Sequence, residues 1–138
     1  MKTADVVARI RDLCPNCAHG DHLLMSSTSY DYPAALIAPV ENKGDAPRIN
    51  IPGGYAQDYE SLFGVYIVFE RRQDGPADNG GADMFDRLCD ELRAALINWQ
   101  PDWALSPITY AGGRMAPYDA GIVTWREDFA VSTEVRYT

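Results

Sequence analysis

Residues 61–70 constrain the fold more than any other stretch of this chain. Strand alternation places Phe63, Val65, Ile67 and Phe69 on one face and Leu62, Tyr66 and Val68 on the other. A strand half open to water would be polar on one side. This one is apolar on both. It is therefore expected to be a central strand covered twice, or one with a face buried by a partner subunit.

The C-terminal segment supplies its neighbour. Val123, Trp125, Phe129, Val131, Val135 and Tyr137 point one way, and Thr124, Arg126, Asp128, Ser132, Glu134 and Arg136 the other. That pattern predicts a half-buried antiparallel strand, bent near Glu127-Asp128. Ala34 to Val40 reads as a short strand with prolines at its ends, Ile108 to Tyr110 as another. Arg114 to Tyr118 could pair with Ile122 to Trp125 across Asp119-Ala120-Gly121.

Two helices complete the set. Val6, Val7, Ile10, Leu13 and Cys14 form one stripe over residues 3–14, with Thr3 as N-cap and Pro15 as the stop. Phe85, Leu88, Cys89, Leu92, Leu96 and Trp99 form the other, from about 83 to 98, with Asp83 as N-cap. Asn98 suits the left-handed residue after it, and Pro101 forbids continuation. The stretches 16–33 and 71–82 read as loops. So does 41–58, which holds Gly44, Gly53, Gly54, Pro47 and Pro52. It also exposes Ile49, Ile51 and Tyr55, which are expected to dock elsewhere. Together the elements predict an α+β fold of one domain, residues 1–138. Its mostly antiparallel, mixed sheet has about four to five strands, with two helices packed on one face.

Charge excludes some partners. Twelve Lys and Arg against twenty Asp and Glu leave a net −8. A protein that grips nucleic acid by neutralising phosphates needs a basic face, and one that docks on anionic lipid needs a basic patch. No apolar signal-peptide core opens the sequence, and no apolar run reaches membrane-span length. Three cysteines suit a reducing cytoplasm better than a disulfide framework.

One cluster invites chemistry: Cys14, Cys17, His19 and His22 are zinc-ligand types. All four would come from nine consecutive residues, which strains a tetrahedral site. The dithiol also follows a helix instead of opening one, which disfavours redox use. Cys14 as a core residue at a helix end is the simpler reading. No nucleophile elbow and no phosphate-cradling glycine loop is present. Asp83, Asp86 and Asp90 read as a cap and a solvated face, and Trp99 and Trp103 as packing anchors. No catalytic residue, cofactor or metal is expected.

A wider pattern does carry function. Pro33-Ala34-Ala35-Leu36-Ile37-Ala38-Pro39, then Gln57 and Phe63-Gly64-Val65, precede Trp99-Gln100-Pro101. Pro107-Ile108-Thr109-Tyr110-Ala111-Gly112-Gly113-Arg114 follows, and then a strand carrying Trp125 and Phe129. In this order, over roughly residues 5–137, the chain resembles the tail terminator-like proteins of tailed bacteriophages. Asn98 stands where that pattern has Gly, and the Cys/His cluster is outside it.

The resemblance implies a structural, non-enzymatic virion protein. It implies a homo-oligomeric, typically hexameric, ring that caps the tail tube, stops its polymerisation and meets the head-side connector. Partners would be the tail tube protein and a connector or neck protein. The place would be the virion tail, after assembly in the host cytoplasm. The assembly contacts expected here are Arg48, Ile49, Ile51, Tyr55 and Tyr66. A neck adaptor that joins head to tail, and a small Cys/His metal-binding protein, are the alternatives. In a ring, the surplus carboxylates of 41–58 or 71–83 would face the bore and repel passing DNA.

Overall fold

The computed structural model describes residues 1–15, 18–21, 34–52, 54–70, 79–116 and 122–137. The chain runs α1 (Thr3–Leu13), β1 (Ala18–Asp21), β2 (Ala34–Gly44), β3 (Arg48–Ile51), β4 (Gly54–Glu70), α2 (Asn79–Leu96), β5 (Thr109–Met115) and β6 (Ile122–Tyr137). The sheet follows the path β1-β2-β4-β6-β5, with the short β3 paired to the start of β4. Only β1 and β2 run parallel. The α+β class and the mostly antiparallel sheet are as the sequence predicts.

β4 is the central strand, between β2 and β6. Phe63, Val65 and Ile67 are buried on its helix side with Ala35, Ile37, Phe129 and Val131. Val6 and Ile10 of α1 and Leu88, Cys89, Leu92, Ala95 and Leu96 of α2 close over them, so both helices cover one face. Phe63 and Phe129 stack with centroids 5.7 Å apart. On the opposite face Ala34, Leu36 and Val68 bury a smaller cluster, joined by Tyr66. The strand is thus covered twice at its C-terminal half. The side chain of Phe69 lies outside the described residues.

Four sequence expectations change. The 41–58 stretch is not a loop, because β2 runs on to Gly44, β3 occupies Arg48–Ile51 and β4 starts at Gly54. Glycines and prolines there mark bends between strands: Gly54 has φ +91° and a bulge interrupts β2 at Pro39/Glu41. Within 16–33, Ala18–Asp21 forms a strand on β2. The rest of that segment, residues 71–78 and the turn at 117–121 lie outside the described residues.

The caps also shift. α2 begins at Asn79, so Asp83 sits inside it. Lys2, with no side-chain cap bond, precedes α1, and Thr3 is its first helical residue. At Glu127-Asp128 β6 keeps its register with β4, while β5 bulges opposite it at Tyr110/Gly112. β6 pairs with β4 without a break from Glu70↔Ile122 to Tyr55↔Tyr137. Glu127 stays on the core face because a partner meets it there, as described below.

The C-terminal motifs have structural roles. Asn98 adopts φ +66° and ends α2, its N–H donating to the Ile108 carbonyl at 2.8 Å. Gly112 has φ +141° at the bulge where β5 shifts register against β6. This bulge joins the segments 108–110 and 114–115 into one strand. A Cβ on Gly113 would come within 2.7 Å of the Trp125 ring. Trp99 and Trp103 are packing anchors: the Arg9 guanidinium lies 5.0 Å from the Trp99 ring, and Trp103 Nε1 donates to Asp5 at 2.8 Å.

Candidate assembly interface

The helix layer is shorter than the sheet. Its end is marked by the Met1 amino group, which donates to Tyr59 Oη at 3.2 Å. Two further rows of sheet lie beyond, Gln57↔Val135 and then Ile49↔Tyr55↔Tyr137. The second row crosses β3, β4 and β6 on one face. Ile49 is 63% and Tyr137 67% exposed, and the Tyr55 and Tyr137 rings lie 6.2 Å apart. An aromatic and aliphatic row held on a strand scaffold is a ready contact surface.

The overhang is pinned. Tyr55 Oη donates to Gln57 Oε1, and Gln57 Nε2 donates to the Asp45 carbonyl at 2.7 Å. The Asp45 N–H donates to the Asp58 carbonyl at 2.8 Å. A Cβ on Gly44 would sit 2.8 Å from Gln57 Nε2, so glycine leaves room for this strut. Gln57, a residue of the sequence pattern, therefore ties the β2–β3 connection to β4.

Arg48 lies beside this row but is engaged elsewhere. Its guanidinium reaches Asp58 at 3.1 Å and Glu134 at 2.8 Å, and Arg136 reaches Glu134 at 3.1 Å. Hydrogen bonding to Asp58, with the charges of Asp58 and Glu134, raises the Arg48 pKa. This ladder fastens β3 to β4 and β6. Ile51 pairs with Gly54 through the backbone, and its side chain lies outside the described residues. Tyr66 is remote from this group. It sits far along β4, on the face without helices, beside Arg126.

Of the five expected contacts, the structure therefore brings Ile49 and Tyr55 together, while Arg48 turns to the opposite face of the sheet with Asp58 and Glu134. Sequence reasoning missed Tyr137. Its alternation was visible, but only the β4–β6 register sets it opposite Tyr55.

A second group was missed as well. Glu127 is fully buried and receives Arg93 Nη2 on Oε1 at 2.6 Å. Burial alone would push its carboxyl up. Hydrogen bonds from Tyr110, Arg93 and Cys89 outweigh that and hold it below the ordinary carboxylate value. Tyr110 also stacks under the Arg93 guanidinium at 5.0 Å. The signal in the sequence was a carboxylate in phase with the apolar face of β6.

Of the cysteine cluster, only the Cys14 side chain lies among the described residues. Cys14 is buried in the core, and burial first, then Glu91, pushes its thiol up to about 11. Cys89 is buried too, and burial and then Glu127 push it up to about 12. His19 lies in β1, and Cys17 and His22 fall outside the described residues. Among the described residues, no group of three His, Cys, Asp or Glu is placed to hold a metal. A thiol needs its thiolate to react. Iodoacetamide at pH 8 should therefore leave Cys14 and Cys89 unmodified in the native chain and label both in denaturant, as peptide mass mapping would read. Rapid native labelling of either would contradict their burial.

No curated protein matches the sequence at a significant level. The family model described as Phage tail terminator protein matches residues 3–138. That span contains both helices, the whole sheet and the overhang. The chain belongs to the phage tail terminator protein family, a structural and non-enzymatic family of bacteriophage tails.

Proposed function

We propose that this chain is the subunit of a homo-oligomeric ring that caps the tail tube, ends its polymerisation and presents a surface to the head-side connector. The observation that carries the reading is the overhang. Exposed Ile49 and Tyr137 flank the half-buried Tyr55 in a row beyond the helices, on strands fixed by Gln57 and the Arg48 ladder. A lone subunit gains nothing from exposing such a row, whereas a neighbouring subunit or the tube end would cover it. Tyr55 and Ile49 make this contact, with Tyr137 at its rim. Carboxylates of the 41–58 stretch, exposed Asp45 among them, face the bore and repel DNA over about 10 Å at 0.1 M salt. The place of action is the virion tail.

Tail length tests the reading. Phage tails assembled without this protein should grow to uncontrolled lengths in negative-stain images, and adding it back should restore one length. Tails of normal length that fail to join heads would instead make it a neck adaptor.

A further inference from the structure

The face of the sheet without helices carries a cavity of about 230 Å³ lined by Tyr66, Arg114, Met115, Ala116 and Arg126. Tyr66, Arg126 and Arg114 form one row across β4, β6 and β5. Arg126 lies over Gly64, where a Cβ would sit 2.9 Å from its Cδ. From there it reaches Asp128, Nε to Oδ1 at 2.7 Å and Nη2 to Oδ2 at 3.0 Å. Arg114 is 3.6 Å from the same carboxylate and is 63% exposed. Two guanidiniums therefore share one carboxylate. The cavity holds a surplus positive charge on a chain whose net charge is −8.

The opposite side of the molecule has the reverse character. On the outer surface of α2, Asp83, Asp86 and Asp90 are exposed at helical spacing, with Arg87 among them and Arg93 4.0 Å from Asp90, which stays 80% exposed. Met84 is exposed beside them. We propose that the Arg114/Arg126 cavity receives the Asp86 and Asp90 carboxylates of α2 from a second copy of this chain. Arg114 pairs with them as a fork. The two surfaces lie on opposite sides of the sheet, so the contact is head-to-tail and its repetition closes a ring or continues a helix. A self-complementary patch would instead stop at a dimer. The inference rests on the ring reading above and adds which faces meet.

Charge reversal on the full-length chain tests it. Arg114→Glu should weaken association between copies by about tenfold or more, read by sedimentation velocity in solution and by occupancy of tail tubes. Asp86→Arg with Asp90→Arg should do the same, and combining all three changes should restore most of the loss. Unchanged circular dichroism confirms that each variant folds. Arg114→Glu that still associates and caps tubes as the parent does overturns the cavity contact and leaves the ring reading standing. Loss in both reversals without rescue in the combination overturns it too, as does Arg114-dependent retention of a DNA duplex in place of self-association. A parent chain that never associates, in solution or on tubes, overturns the contact and the ring reading together.

Discussion

Arg93→Ala should destabilise the folded chain by about 3 kcal/mol, the low end of what stripping one partner from a buried ion pair costs. Glu127 has no exposed surface, so the change leaves a carboxylate in the core. The Arg93 side chain is itself 37% exposed, which lets some water reach the vacated position and keeps the loss from being larger. Thermal unfolding should show a drop in Tm of about 10 °C for a chain of this size. The pair adds little net stability over an apolar pair of the same size, since its attraction mostly offsets its own desolvation. Arg93→Met combined with Glu127→Leu should therefore recover most of what Arg93→Ala loses. An Arg93→Ala protein within about 0.5 kcal/mol of the parent would show that Glu127 finds other partners.

The same pair predicts a pH effect. The Glu127 carboxyl sits below its ordinary value, so its contribution to stability is present above about pH 4.5, the unfolded range. That contribution is lost as pH falls through the lower folded value. Glu127→Gln should flatten the stability profile in this acid window. Parallel profiles for parent and variant would assign the acid sensitivity to other carboxylates.

Ile49→Asp combined with Tyr137→Ser should have the opposite signature: a near-normal fold and a large loss of assembly. Both side chains are mostly exposed, so their replacement removes little buried area and stability should stay within about 0.5 kcal/mol. A charge placed in a contact row must be desolvated or unpaired when the row is covered, which weakens binding by ~100-fold or more. Tube capping in a complementation assay should fail while circular dichroism and Tm are kept. A double variant that caps normally would remove the overhang from the interface.

Much of this architecture was legible beforehand. The two-sided apolar run at 61–70 foretold β4 as the strand everything else packs against. The stripes of α1 and α2 foretold the helix layer, and the alternation of 122–137 foretold β6. These signals work because burial repeats with the period of each element. The 41–58 segment was misread for the complementary reason. Its glycines and prolines look like loop punctuation, but β3 turns back onto the start of β4 as a tight hairpin, and the end of β2 pairs with residues 59–62 further along β4. The cap at Asp83 failed for a local reason: the helix starts earlier, at Asn79, through two glycines of poor helix propensity.

The site divided along the same line. Ile49 and Tyr55 stood out as apolar residues in a polar stretch, and Tyr66 as an aromatic on the second face of β4. That Tyr66 lies with Arg114 and Arg126, far from Ile49, follows only from strand order. So do the approach of Tyr137 to Tyr55 and the meeting of Glu127 with Arg93. The sequence by itself determined the elements, their apolar faces and the family, because these are written in local periodicity and motif order. The tertiary structure alone decided which residues share a surface, because β pairing joins positions many residues apart, and a register is a property of two strands together.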